Sequence, residues 1–239
     1  MFSQSYSKSK NKIIIIDFGS QVTKLIARRI RELKVYCEVI NLKELEKIKN
    51  FEGIKGIILS GGPSTVTQKS YPKIPKNLFE KKIPILGICY GLQLIAKVFG
   101  GKIKKSQKKR EFGEAVLIEK SKSVLFKNFF SNKKAHVWMS HQDAVFKMPK
   151  NFKNIASTDN SKFTAIQNKN KSIYGIQLQP EVTHTKKGFK IIKNFVIDIC
   201  KIKKNWMIGI EKNRIINDLI IKIKKEKVIC ALSGGVDSS

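Results

Sequence analysis

The segment Gly87–Gly91, GICYG, is the part of the chain best suited to covalent chemistry. An apolar run precedes it and helical spacing follows it, so Cys89 is predicted to sit on a sharp strand-to-helix turn. Such a turn exposes the central side chain, and glycines on either side remove the Cβ atoms that would clash. A helix N-terminus favours the thiolate, which is strongly nucleophilic. The pattern therefore predicts a cysteine nucleophile; the alternative is a buried structural cysteine.

Apolar runs and helical stretches alternate through the first hundred residues. Short continuous apolar runs are typical of strands buried on both faces, and helices must cover those faces. The pattern predicts an α/β fold with an open, mostly parallel sheet flanked by helices. The predicted strands are Lys12–Asp17, Val35–Ile40, Gly56–Ser60 and Ile83–Ile88, and the predicted helices contain Val22 to Leu33, Leu42–Ile48 and Tyr90–Phe99.

The pattern changes after Gly100-Gly101, where short alternating segments predict an added region of partly antiparallel strands. These segments are Ala115–Glu119, His136–Met139, Asn154–Ser157, Phe163–Gln167 and Ser172–Leu178, followed by a helix over Lys186–Cys200. The polar break 201–205 predicts a linker. We therefore predict a disordered N-terminus (1–11), one domain over 12–202, and the beginning of a second α/β domain over 206–239. That second domain is predicted to contain a helix, Ile208–Lys224, and a strand, Lys227–Leu232.

Composition limits the classes of function. The formal net charge is +30, but 43 of the 48 basic residues are lysines spread along the chain, so we expect no nucleic-acid partner. The sequence contains no run of 18 or more apolar residues, so we predict no membrane-spanning helix. The four cysteines, Cys37, Cys89, Cys200 and Cys230, lack the spacing of metal ligands or of a disulfide framework. We therefore expect no metal site. We also expect the protein to be in the reducing environment of the cytoplasm.

Several segments, in order over residues 12–239, resemble the class I glutamine amidotransferases and, among them, the GMP synthetase branch. The nucleophile segment is Pro84–Gln93 and the segment matching the oxyanion loop is Ser60–Pro63. The other matching segments are Asp17–Gln21, Ile26–Arg29, Arg110–Gly113, Val137–His141 and Pro180–Thr185.

The resemblance implies a mechanism. Cys89 would attack the side-chain amide of glutamine, giving a glutamyl thioester and ammonia, and water would then release glutamate. Backbone N–H groups near Gly62 and Tyr90 would hold the oxyanion. The residues implied in oxyanion stabilisation or substrate binding are Gly61, Gly62, Tyr90, Gln93, Ser140, His141 and Gln142. For Ser140 and His141, an ordinary surface turn is the alternative.

One position departs from the family pattern. The family has an aromatic residue followed by His-Pro-Glu, whereas this chain has Leu178-Gln179-Pro180-Glu181. Gln179 cannot act as a general base near neutral pH, and Glu181, which would orient the histidine, has nothing basic to orient there. The chain has only three histidines, His136, His141 and His184, and recruiting His141 or His184 as a base would require rearrangement. We therefore expect slow or absent glutamine turnover.

The C-terminal segment resembles the pyrophosphate loop of the ATP pyrophosphatases. Its predicted ATP-binding residues are Ser233, Gly234, Gly235, Val236, Asp237, Ser238 and Ser239. The resemblance implies ATP with magnesium, and xanthosine monophosphate (XMP) as the acceptor of ammonia in a full-length, homodimeric enzyme. Two alternatives stay open: another class I amidotransferase, and a catalytically silent module that binds glutamine.

Overall fold

The structure is a computed structural model that describes residues 11–105, 111–170 and 172–229. Its contacts divide the chain into two compact units, Met1–Asn205 and Trp206–Ser239. The predicted disordered N-terminus lies almost wholly outside the described residues, and so does the predicted ATP-binding loop, 233–239.

The first unit is built on one large mixed sheet. In chain order the strands are β1 Lys12–Ile16, β2 Cys37–Ile40, β3 Ile54–Leu59, β4 Ile85–Ile88, β5 Lys102–Lys105, β6 Glu111–Glu119, β7 Lys134–His141, β8 Asp143–Lys147, β9 Phe152–Ser157, β10 Ala165–Asn168 and β11 Ile173–Ile176. Nine of them form a sheet in the order β2-β1-β3-β4-β11-β10-β9-β6-β7, and β5 pairs with β8 in a small ribbon.

The large sheet has a parallel half and an antiparallel half. Strands β2, β1, β3, β4 and β11 run parallel to one another. Strands β10, β9, β6 and β7 continue the sheet with antiparallel pairing. The helices of this unit are α1 Thr23–Glu32, α2 Leu42–Glu46, α3 Tyr90–Val98 and α4 Gly188–Lys193. The predicted fold class, a mostly parallel sheet with an added antiparallel region, is confirmed.

Strand β1 shows why the parallel half is stable. Ile13 and Ile15 are buried in the core on one face of the sheet, and Ile14 and Ile16 are buried in the core on the other face. Successive strand side chains point to opposite faces, so an uninterrupted apolar run fits only a strand covered on both sides. The four consecutive isoleucines therefore form a strand that is buried on both faces, as predicted.

Three details differ from the sequence-based predictions. Strands β5 and β8 were not predicted, because they are only 4 and 5 residues long and neither shows a clear alternation of apolar and polar residues. The predicted helix over 186–200 is α4 followed by a π-helical stretch, Asn194–Ile199, a local widening that apolar periodicity does not reveal. Of the predicted strand Lys227–Leu232, residues 227–229 are not in a strand, and residues 230–232 lie outside the described residues.

The second unit contains helix α5, Ile208–Ile223, close to its predicted bounds. Among the described residues, no helix combines the length and apolarity needed to cross a bilayer.

Lys34 offers a test of backbone strain. It follows the end of α1 with φ 61°, and its N–H donates to the carbonyl of Arg31. A left-handed backbone at this position favours glycine, because a Cβ is sterically penalised there. We expect Lys34→Gly to raise the free energy of unfolding by about 0.5–1 kcal/mol, measured by urea denaturation. The matched control is Lys24→Gly inside α1, which should lower it by about 1 kcal/mol; destabilisation by both variants would contradict the strain argument.

Candidate active site

Cys89 lies on a strained turn between β4 and α3. Its backbone has φ 53° and ψ −103°, outside the regions that non-glycine residues favour. Its N–H donates to the carbonyl of Ile176 on β11 at 2.7 Å, which anchors the turn to the sheet. The predicted strand-to-helix turn is therefore present, but the predicted exposure of its central residue is not, because Cys89 is only 7% exposed.

The flanking glycines are required by close packing. A Cβ on Gly91 would lie 2.4 Å from the carbonyl oxygen of Leu59, and a Cβ on Gly87 would lie 2.5 Å from the backbone of Gly91. Both distances are too short for any side chain. Strand β3, strand β4 and the first turn of α3 can therefore approach one another only with glycine at these two positions.

The loop after β3 lies beside Cys89. A Cβ placed on Gly61 would be 3.8 Å from Cys89 Cβ, and one placed on Gly62 would be 2.7 Å from the carbonyl oxygen of Phe18. Ser60 fixes the loop, because its Oγ accepts from Phe18 N at 3.1 Å and donates to Gly61 O at 2.8 Å. The predicted Gly61-Gly62 turn and the predicted nucleophile are thus neighbours.

Two further groups contact the sulfur. Cys89 Sγ donates toward the carbonyl of Ser140 at 3.6 Å, and Gln177 Nε2 donates to Sγ at 3.4 Å. Gln177 is fully buried just past the end of β11. Gln177 was not among the predicted site residues; the only signal in the sequence was its place near the end of the predicted strand Ser172–Leu178.

A cavity of about 570 Å³ opens in front of Cys89. It brings together most of the predicted substrate-binding residues with several that were not predicted. Its lining includes Gly62, Thr65, Cys89, Tyr90, Gln93, Lys105, Phe112, Ser140, His141, Gln142 and Asp143. Ser140 and His141 are therefore part of a pocket wall and not of an ordinary surface turn. Gln179 and Glu181 are buried and do not line this cavity.

Comparison with known families agrees with this geometry. The family described as "Glutamine amidotransferase class-I" matches residues 14–199. The chain belongs to this family. The match covers nearly all of the large sheet and every residue around Cys89 described above.

The amidotransferase is similar to proteins named GMP synthase [glutamine-hydrolyzing]. It is 48% identical over 96% of its length to the one from Brachyspira hyodysenteriae and 48% identical over 97% of its length to the one from Spiroplasma kunkelii. The chain spans only 44% of the length of each relative. A crystal structure from Thermoplasma acidophilum, described as one subunit of a GMP synthase, is 28% identical with a TM-score of 0.68, and the match covers 86% of this chain and 98% of that one.

Burial controls the protonation of the amidotransferase's cysteine. The pKa of Cys89 is raised to about 12: burial raises it most, the Glu181 carboxylate adds to the rise, and the Tyr90 N–H and the Gln177 amide oppose it. The helix N-terminus acts in the predicted direction, but desolvation outweighs it. At neutral pH the sulfur is therefore a thiol, contrary to the expectation that the turn by itself would favour thiolate.

Glu181 and Gln179 are both buried near the end of the sheet. Glu181 is 1% exposed, and neither carboxyl oxygen has a hydrogen-bond partner among the described residues. Burial raises the pKa of Glu181 to about 8. Gln179 is 7% exposed, and its Oε1 also lacks a partner in the described part of the chain. Its backbone is fixed by an N–H bond to Trp138 O at 3.0 Å.

The three histidines all have other partners. His141 Nε2 lies 2.9 Å from Glu111 Oε2, and its Nδ1 lies 3.1 Å from the carbonyl of Asp143. The other two are exposed at the surface: His136 pairs with Glu114 at 2.6 Å, and His184 packs on Trp138 with ring centroids 4.4 Å apart. Among the described residues, none of the three histidines makes a hydrogen bond with Cys89 itself. No described cluster of three His, Cys, Asp or Glu side chains could hold a metal ion.

Glu181 predicts a pH dependence of stability. Its pKa in the folded protein, about 8, lies above the ordinary value of 4.5, so the folded state binds the extra proton between these values. The stability it contributes is complete below pH 4.5 and is lost as the pH rises through 8. Relative to Glu181→Gln, the wild type should lose on the order of 3–5 kcal/mol across this range, measured by urea denaturation. The control is Glu80→Gln, which replaces an exposed carboxyl; the difference in free energy of unfolding between it and the wild type should change little with pH. If the corresponding difference for Glu181→Gln is also independent of pH, the Glu181 carboxyl is hydrated.

Gly91 predicts a packing effect. Alanine normally stabilises a helix relative to glycine, but here the new Cβ would meet Leu59. We expect Gly91→Ala to lower the free energy of unfolding by about 1–3 kcal/mol. Gly209→Ala, in α5 where nothing lies within 4 Å of the new Cβ, should show no such loss. Equal effects of the two substitutions on thermal unfolding would mean that the close β3–α3 contact is not needed.

Proposed function

We propose that this amidotransferase is the glutamine-hydrolysing part of a GMP synthase and that its own turnover is impaired by Gln179. The observation that carries the first half is the sulfur of Cys89, placed on a strained turn at the pocket beside the Gly61-Gly62 loop. The names of the relatives supply the synthase assignment. The second half rests on the absence of a described base beside that sulfur.

The proposed chemistry follows the geometry of the pocket. The side-chain amide of glutamine enters the cavity, and Cys89 Sγ adds to the amide carbon. Backbone N–H groups at Gly62 and Tyr90 stabilise the oxyanion. The C–N bond then breaks, ammonia leaves with a proton, and water hydrolyses the thioester to glutamate and free Cys89. Gly61, Gln93 and the wall over 140–142 orient the substrate.

Proton transfer is the difficult step. The thiol must lose its proton and the departing ammonia must gain one. The amide of Gln179 can neither accept the first proton nor donate the second. Glu181 is a poor substitute, because the pKa of Cys89 is about 12 and that of Glu181 about 8. Direct proton transfer from the Cys89 thiol to Glu181 is therefore unfavourable. His141 is held by Glu111 and Asp143 and is not free to accept the proton.

A silent module is the second candidate function. It is favoured by the same residues: the described residues form a cavity with a polar wall, whereas the position for the base holds an amide. Such a protein would bind glutamine without releasing ammonia, and the bound amino acid would act as a signal to a partner domain. The measurement that separates the two candidates is ammonia release alongside glutamine binding.

The role of the whole enzyme is proposed from similarity alone. In it, ammonia would aminate XMP to GMP with ATP and magnesium, in the cytoplasm and as a homodimer. The ATP site would be formed by Ser233 and the residues that follow it, which lie outside the described residues. Nucleic acid and membranes are not among the proposed partners.

The Gln179→His variant tests the proposed function. Restoring an imidazole two residues before Glu181 should raise ammonia release from glutamine by about 10²–10⁴, because it supplies the missing acid–base group. Release is measured by a coupled ammonia assay on the full chain, with glutamine binding followed by calorimetry.

The control is Gln179→His combined with Cys89→Ser, which should return the rate to background. Equal rates in the wild type and Gln179→His would refute the account of Gln179. Binding of glutamine by both proteins without turnover would favour the silent module, and failure of both to bind would refute the assignment of the pocket.

A further inference from the structure

A buried His–Glu pair stands behind the pocket wall. Glu111 on β6 is directly opposite His141 on β7 in the antiparallel register, so both side chains lie on the same face. The two side chains are only 4% and 3% exposed, and Glu111 Oε2 lies 2.9 Å from His141 Nε2. The second carboxyl oxygen, Oε1, accepts from Thr158 Oγ1 at 2.7 Å. Both oxygens of Glu111 are therefore occupied.

The partners of His141 determine where its protons are. Nδ1 faces the carbonyl oxygen of Asp143 at 3.1 Å, and a carbonyl can only accept, so Nδ1 carries a hydrogen. Nε2 faces a carboxyl oxygen, so one proton lies between Nε2 and Glu111. The ring thus has no free lone pair, and its orientation is fixed from both sides.

The Asp143 carbonyl connects this pair to the rest of the pocket. It also accepts from Gln93 Nε2 of α3 at 3.0 Å, so helix α3 and His141 converge on one oxygen. The Asp143 carboxylate in turn accepts from the hydroxyl of Thr65, in the loop that follows β3. Hydrogen bonds therefore join the wall over 140–143 to strand β6, to helix α3 and to the loop that follows β3.

We propose that Glu111 is a positioning residue for glutamine binding, acting through His141. This inference rests on the proposed function. By holding the imidazole, Glu111 fixes the Asp143 carbonyl and the neighbouring Ser140 carbonyl, toward which Cys89 Sγ–H points at 3.6 Å. The antiparallel half of the sheet thereby sets the shape of a pocket whose nucleophile belongs to the parallel half.

A purely structural role explains these residues less well. Desolvating a His–Glu pair is costly, and well-packed apolar residues in its place are often neutral or stabilising. What the pair provides is a fixed direction for two hydrogen bonds. The same strands carry a second pair, His136 with Glu114, whose side chains are 56% and 61% exposed. That pair does not line the pocket and is a natural control.

The experiment uses the full chain carrying Gln179→His, so that both glutamine binding and turnover can be measured. Glu111→Ala should weaken glutamine binding and raise KM about tenfold or more, with a smaller change in kcat, because the wall moves while the nucleophile stays in place. Glu111→Gln should stay within about threefold of its parent, since its amide can donate to Nε2 while Nδ1–H is retained. Glu114→Ala should stay within about twofold of its parent, because an exposed pair contributes little.

Thr158→Val provides a second, milder test in case Glu111→Ala does not fold. It removes one hydrogen bond to Glu111 and should raise KM about threefold. The proposal is overturned if folded Glu111→Ala, or Thr158→Val where Glu111→Ala is unfolded, keeps the parental KM. The proposal is also overturned if Glu114→Ala raises KM as much as Glu111→Ala does. If the Gln179→His parent neither binds nor hydrolyses glutamine, the proposed function itself fails, and this inference falls with it.

Discussion

The close approach of strand β3 to the first turn of helix α3 is the constraint on which the site depends. Because Gly91 has no side chain, its backbone can pack against Leu59, and because Gly87 has none, β4 can turn sharply into the helix. Cys89 then adopts φ 53°, a conformation that costs on the order of 1–3 kcal/mol. The packing of three elements sustains this strain, and the strain directs the sulfur to the pocket.

The burial that holds the side chains of the site in place also disfavours their charged forms. Desolvation raises the pKa of the Cys89 thiol and that of the Glu181 carboxyl, so both groups favour their neutral forms. In an ordinary nucleophile–base–acid arrangement an imidazole would lie between such groups and exchange protons with them. Gln179 offers only amide hydrogen bonds, and its Oε1 and both Glu181 oxygens have no described partner. The turn at Cys89 and the cavity in front of it are present, but the described residues place no imidazole beside the sulfur.

The two halves of the sheet contribute different parts of the site. The parallel half supplies the turn at Cys89 and the loop at Gly61, because the carboxyl ends of its strands meet at one edge. The antiparallel half supplies the wall, where the direct opposition of Glu111 and His141 places a polar pair under the pocket. Precision at Cys89 therefore depends on strands that are distant in sequence.

The sequence by itself determined the parts of this protein that depend on local pattern. The β1 isoleucines specify a strand buried on both faces, the spacing of Gly87, Cys89 and Gly91 specifies the turn, and the order of motifs specifies the family. Tertiary structure alone decided that Gln177 reaches the sulfur, that burial outweighs the helix N-terminus at Cys89, and that Glu111 holds His141. These outcomes depend on distances between residues far apart in the chain and on the exclusion of water, and neither is encoded in the local periodicity of a sequence.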